Sequence, residues 1–397
     1  MEPWQKTLYI SWAILFFLAA GLSMMMPFLP LYIKELGIND PKAQAAWSGM
    51  IYGVGYVFTA LLAPLWGTIS DKYGRKPLII RTTFGICIVA FLMSFVTNVY
   101  QLLGLRILHG MCGGTMPAFI ALISQGLPEG KIGQGLGSMQ ASLLAGSLVG
   151  PFMGGVLSDW VGYRSVLLVI SLFTLLAGMT TLLFIHEPKR DPAQARSAVL
   201  DNIKLVLSTN SLRMVSLVLF ATQFSLFIVQ PILPLFIASL HRASNSASMV
   251  GLVFSVTGLA TMLFASYWGK VGDEKGHRVV LFRSLLFNGI AFLPQALVTS
   301  VYQLLPLRVI IGFFVAGIEP STQSLLVKNT TDSQRGGVLG ITHSVRLCGQ
   351  AIGPLVGGAL GALFGYRVPF VLTAALLIAI SYFFRKYLRE TDQNSNS

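Results

Sequence analysis

The chain has 397 residues, 54% hydrophobic and only 11% charged, with a formal net charge of +13 and a mean hydropathy of +0.70. A water-soluble chain of this length would have too little polar surface to cover itself, so the composition specifies an integral membrane protein and excludes a soluble globular one. The three cysteines, Cys87, Cys112 and Cys348, lie inside apolar runs without paired spacing, so they neither staple a secreted fold nor form a metal site, and they read as packing residues.

Twelve apolar runs follow one another at 8–33 (α1), 46–70 (α2), 77–97 (α3), 100–126 (α4), 136–158 (α5), 165–186 (α6), 211–239 (α7), 248–269 (α8), 279–299 (α9), 301–326 (α10), 338–363 (α11) and 367–385 (α12). Each has about 20 residues or more, the length at which a helix crosses about 30 Å of hydrocarbon. The expected fold is therefore all-α, an integral membrane protein of twelve transmembrane helices in two six-helix, pseudo-symmetric halves. The halves are residues 1–186 and 211–397, and the polar linker 187–210, with Pro188 and Pro192, is the seam between them. The first run has no small-residue cleavage site after a short apolar core and reads as a retained helix.

The two halves carry the same landmarks in the same order. Pro27 to Ile33 in α1 matches Pro231 to Ile237 in α7. The loop Trp66-Gly67…Asp71…Gly74-Arg75-Lys76 returns 202 positions later as Trp268-Gly269…Asp273…Gly276-His277-Arg278. Tyr100 to Arg106 in α4 matches Tyr302 to Arg308 in α10, and Gly146…Gly150-Pro151…Gly154-Gly155 in α5 matches Gly349…Gly353-Pro354…Gly357-Gly358 in α11. A repeat of this length is one structural unit written twice.

With the N-terminus inside, one side of the membrane collects Lys72, Arg75, Lys76, Lys189, Arg190, Arg196, Lys270, Lys275, Arg278, Arg385 and Lys386, whereas the other receives only Lys34, Lys42, Arg164, Arg242 and Arg367. Basic residues gather on the cytoplasmic side, so both termini and the Gly67–Lys76 loop are expected there. The positive charge then encodes orientation and leaves no nucleic-acid surface.

On these residues the chain resembles the major facilitator superfamily. The Gly67–Lys76 loop is similar to its signature, Arg106 followed by Gly110 resembles its fourth-helix motif, and Gly146 to Gly155 resembles the antiporter motif of the twelve-helix drug:proton antiporters. The resemblance spans nearly the whole chain. It implies a bacterial multidrug efflux transporter of the inner (cytoplasmic) membrane that exchanges a small-molecule substrate for protons by alternating access, as a monomer in the lipid bilayer. Two other readings stay open: a proton-linked exporter of one metabolite, siderophore or sugar on the same fold, and a non-transporting membrane sensor or scaffold.

The motif residues also have physical readings of their own. Gly146, Gly150, Gly154 and Gly155 give α5 a smooth face for close helix approach, and Pro151 bends it. By resemblance that seam helps keep the exporter from leaking. At the Gly67–Lys76 loop, Gly67 and Gly74 frame a tight turn, and Asp71 with Arg75 forms a gate that closes across the halves. Asp273 with Arg278 is the weaker copy, because His277 stands where the first copy has Arg75.

Charges inside the membrane are costly and point to mechanism. Among the fifteen acids, Glu319 in α10 alone lies well within an apolar run. It shares a helix face with Arg308, and His343 and Arg346 share a face of α11, as Arg106 and His109 do in α4. Glu319 is the preferred proton site, with these bases as its coupling partners and a structural ion pair as the other possibility. Met24, Met26, Gln140, Gln223, Phe227, Gln230, Phe254 and Phe314 are expected to line a soft apolar cavity for lipophilic cargo. No phosphate-binding loop, catalytic constellation, metal cluster or cofactor motif is present, so an ion gradient must drive transport and the chain is not an enzyme.

The charge asymmetry gives the first prediction. A reporter fused after Arg196 or at the C-terminus should report cytoplasm and one inserted near Asn245 the outside; opposite labelling at either place overturns the topology.

Overall fold

Glycines in a backbone conformation open only to them set where this chain turns. Four of them, Gly74, Gly162, Gly276 and Gly365, have φ between 81° and 100° and separate α2 from α3, α5 from α6, α8 from α9 and α11 from α12. These are two pseudo-symmetric pairs; Gly74, Gly162 and Gly276 each stand alone between two helices, and Gly365 opens a three-residue turn. The computed structural model describes residues 3–114, 119, 122, 128, 131–185, 187, 199–241 and 245–395. Pro188, Lys189, Arg190, Pro192, Arg196 and Arg242 lie outside the described residues, as does the side chain of Asp71.

The spans follow in the expected order, and most of the 113–126 stretch of α4 lies outside the described residues. α1 is Pro3–Met25, a 3-10 turn at Met26–Phe28 and Leu29–Glu35, and its counterpart α7 is Asn210–Val229 and Leu233–Leu240. Both break at the paired prolines Pro27 and Pro231, which have no N–H to give to the helix. α2 is Pro41–Tyr73, α3 Arg75–Met93 and α4 Val99–Cys112; α5 and α6 share the helix Ile132–Phe184, divided at Gly162. α8 is Ser246–Lys275, α9 His277–Phe292, α10 Val301–Lys328, α11 Asp332–Phe364 and α12 Val368–Ser395. Among the described residues ten stretches are long and apolar enough to cross a membrane, one of which holds both α5 and α6.

One expectation needs correction. The Gly67–Lys76 segment is not a ten-residue loop: α2 stays helical to Tyr73 and the whole turn falls on Gly74. Gly67 is therefore a helical residue, and a Cβ there would meet nothing within 4 Å. Within the linker, Val199–Ser208 forms a helix with Asn202 and Val206 buried. Its apolar positions recur at helical spacing but are diluted by the polar residues around them.

Within each half, glycine brings backbones together. Cβ atoms on Gly146 and Gly154 would lie 2.5 Å from the Phe16 carbonyl and 3.0 Å from that of Met24, so α5 rides directly on α1. In the other half, Gly349 and Gly353 stand equally close to the carbonyls of Phe220 and Phe224 on α7, both at 2.7 Å. Two more seams join the halves. A Cβ on Gly155 of α5 would sit 2.6 Å from the Ala247 carbonyl of α8, and one on Gly49 of α2 would sit 2.5 Å from the Pro354 carbonyl of α11. In hydrocarbon there is little apolar burial left to drive helices together, so such approach carries the association.

The α2–α11 seam can be tested directly. A Cβ on Gly361 would lie 3.3 Å from that of Ala45, near the Cβ separation of a disulfide. Ala45→Cys with Gly361→Cys, in a chain otherwise free of cysteine, should crosslink in most molecules under mild oxidation. Adding Gly49→Leu should reduce the yield severalfold; failure of the pair to crosslink means that the seam is not closed.

Candidate functional site

Between the halves lies a cavity of about 1730 Å³. It reaches from Met26, Tyr52 and Pro151 in mid-membrane to Gly67, Arg75, Asn202 and Gly336 on the side of the basic loops, and the two inter-half seams close the opposite side. Most of the wall is apolar. Its charged or titratable bases are Arg75 and Arg213 near the mouth with His109 and His343 deeper in, and among the described residues no aspartate or glutamate lines it.

The expected pairing of Arg106 and His109 is present. Arg106 is 1% exposed and donates from Nε to the Ile51 carbonyl at 3.2 Å. Its Nη1 stands 3.4 Å from His109 Nδ1, and arginine can only donate, so Nδ1 accepts and the ring hydrogen sits on Nε2. Gly55 makes room, since a Cβ there would lie 2.9 Å from Nη2. Tyr52, whose hydroxyl donates to the Met26 carbonyl, and Tyr56, edge-on to Phe227, complete this end of the cavity. The two tyrosines and Gly55 escaped sequence reasoning, although the spacing of Tyr52 and Tyr56 puts both on one helix face.

Glu319 is paired with Arg346, whose Nη1 donates to Oε1 at 2.6 Å, and accepts from Gln323 Nε2 at 3.1 Å. Arg308 is not its partner: eleven residues of helix separate them by about 16 Å, beyond side-chain reach. The Arg308 guanidinium lies 5.9 Å from the Phe292 ring, its Nε and Nη2 without a partner among the described residues. Glu319 is also less enclosed than its apolar run suggests, with 45% of its side chain accessible, and it is not part of the cavity wall. His343, one turn from Arg346 on α11, is.

At the first turn motif, backbone N–H groups of Arg75 and Lys76 donate to the Glu187 carboxylate at 2.7 and 3.0 Å, so the start of α3 is capped by the first residue of the linker. At the second, Asp273 meets His277, with Nε2 to Oδ1 at 3.2 Å. The bond joins residues of one motif rather than two halves.

Of the expected cavity residues, Met26, Phe227, Gln230 and Phe254 line the wall. Met24 does not: two residues from Met26 it points to the far side of α1, fully buried at the α5 contact. Gln140 is exposed outside the cavity. Gln223 is one step removed, accepting from the cavity residue Gln350 at 3.1 Å. Phe314 belongs to an aromatic cluster with Trp268 and Phe287, where its bulk fills the α8–α9–α10 contact. Cys348, read as a packing residue, is exposed on the cavity wall.

Comparison with known proteins finds similar structures and similar sequences over nearly the whole chain. The structure of a bacterial homologue of the human lysosomal transporter Spinster, in an inward-facing and occupied conformation, superposes with a TM-score of 0.81, covering 98% of each chain at 15% identity. The nucleoside transporter NupG gives 0.79, covering 97% of this chain and 99% of its own at 14% identity. These likenesses show the fold. In sequence, the multidrug resistance protein MdtG of Proteus mirabilis is 36% identical over 380 residues, 95% of this chain and 94% of the relative. That of Enterobacter lignolyticus is 34% identical over 396 residues, 98% and 93%. The sequence profile of the Major Facilitator Superfamily matches residues 11–241 and again 215–397. The chain belongs to the major facilitator superfamily, as a multi-pass membrane protein of its transporter fold.

Proposed function

We propose that this protein is a secondary active transporter that expels lipophilic drugs or similar small molecules across the cytoplasmic membrane in exchange for protons. The observation that carries the reading is the cavity of about 1730 Å³ between the halves, mostly apolar and closed on one side only. Relatives that are named for multidrug resistance and match almost end to end support the cargo class. In this reading the chain works as a monomer and the basic side is cytoplasmic. The halves 1–186 and 211–397 rock about the site while 187–210 joins them, so the cavity faces alternately in and out. Dye accumulation by inverted vesicles, with and without an imposed pH gradient, tests it; gradient-independent behaviour would sink the coupling.

Glu319 is the proton site in this reading. Support comes from its place as the one acid well within an apolar run, held by Arg346 and Gln323 and close to His343 on the cavity wall. A proton on Glu319 weakens the bond to Arg346, which frees a charged group beside the cavity; loss of that proton restores the pair. Arg106 positions His109, and the antiporter glycines hold the seam that prevents leakage. Asp71 and Arg75 act as the inner gate, with Asp273 and Arg278 as its copy.

Two predictions follow from these roles. Glu319→Gln keeps the size but fixes the neutral form, so gradient-driven efflux should fall to background while downhill exchange of a neutral dye persists. Glu319→Asp should retain partial activity with a displaced pH optimum. A Gln variant that still concentrates dye removes Glu319 from the mechanism. Separately, Asp71→Asn should lower transport about tenfold, which corresponds to 1.4 kcal/mol in the balance of the two states, with insertion and melting unchanged. Normal transport across a pH series refutes the gate.

A further inference from the structure

Every helix begins with backbone N–H groups that have no acceptor inside it. α2 meets this need alone: Asp40 Oδ2 accepts from the Ala43 N–H at 2.9 Å. Its repeat partner α8 does not. α8 starts after Asn245, whose side chain forms no cap and is instead 2.8 Å from His241 Nε2. The cap comes from the other half of the molecule. Asp159, in the last outer turn of α5, accepts from the Ala247 N–H through Oδ1 at 3.2 Å and from the Ser248 N–H through Oδ2 at 2.7 Å. Gly155, one turn earlier, makes the approach possible, because a Cβ there would stand 2.6 Å from the Ala247 carbonyl and 3.0 Å from the Ser248 Cα. The second outer seam is built differently. The repeat puts Ala362 where α5 has Asp159, and the polar contact is a neutral one, Tyr366 donating to the Pro41 carbonyl at 3.2 Å.

We infer that Asp159 is the outer latch of the transporter, a positioning residue that holds the outside shut by lending α8 the N-terminal cap it lacks. The inference rests on the alternating-access reading above. Charge-assisted bonds from a carboxylate to helix N–H groups are among the stronger protein hydrogen bonds, and the helix dipole adds to them. When the halves part on the outer side, α5 and α8 separate, and both bonds must be exchanged for water. The interaction thus exists in one state and not in the other, which is the condition for it to bias the balance between them. α2 carries its own cap through the same motion, so the cost of opening falls on the α5–α8 seam.

The experiment reads conformation without cargo. In a chain with its three cysteines replaced by serine, spin labels at Tyr100→Cys and Tyr302→Cys sit on exposed, repeat-related positions at the outer ends of α4 and α10. Pulsed distance measurements then report the outer opening. Asp159→Asn should raise the ratio of open to closed distances about tenfold, and Asp159→Glu should largely restore it. Ser248→Pro removes the nearer donor from the opposite side, at a first-turn position where proline is tolerated. It should produce a similar shift, and the double variant should add little to either single one. Should Asp159→Asn fail to fold, Ser248→Pro alone decides. An unchanged distance distribution in the folded variants, or fully additive shifts, overturns the latch. Neither drug nor proton gradient enters this readout, so it can fail while proton-driven efflux holds, and it can hold if Glu319 proves dispensable.

Discussion

Backbone-to-backbone contact through glycine is the constraint on which this molecule depends. Gly146, Gly150 and Gly154 fix α5 on α1, their repeats fix α11 on α7, and Gly155 and Gly49 fasten one half to the other. A bilayer offers no water to squeeze out from between helices, so contacts with no side chain in between do what burial does in a soluble core. The division of labour is fine: Gly154 and Gly155 are neighbours, yet one faces α1 of its own half and the other α8 of the opposite half. A single motif thereby joins the rigid part of the machine to the part that must come undone.

The cavity shows how two copies of one fold come to differ. Arg106 lies against Gly55 and bonds the Ile51 carbonyl, whereas Arg308, its repeat, faces Phe292 and has Thr257 where Gly55 would be. His109, held through Nδ1 by Arg106, has no counterpart in α10, where Ile311 takes its place. One arginine is thus tied to the cavity through His109 and the other is sunk in the C-terminal bundle. Glu319 lies in the same half as Arg308, yet it pairs with Arg346 instead.

Span positions, the two halves and the tight glycine contacts were legible in the sequence because each depends on composition or local spacing: long apolar runs, a repeated order of landmarks, and glycine at four-residue intervals. Which face of a helix meets the cavity was less legible. Met24 and Met26 look equivalent in sequence, and only the packing of α5 on α1 decides that one is buried and the other lines the wall. Partner choice was also hidden, since Arg308 and Arg346 both suit Glu319 chemically and only distance along the helix rules out the first. The cap that Asp159 lends to α8 joins residues 89 apart in the chain and across two halves, where no local pattern extends.

The repeat places a matching tryptophan strap in each half. Trp66 donates its indole N–H to the Met111 carbonyl at 2.9 Å and packs under Arg81, while Trp268 donates to the Phe313 carbonyl at 2.6 Å within its aromatic cluster. Both rings strap together helices of the same half, and neither touches a seam between halves. Neither bond has to break when the halves move against one another, so the two indoles act as braces that keep each bundle a rigid unit.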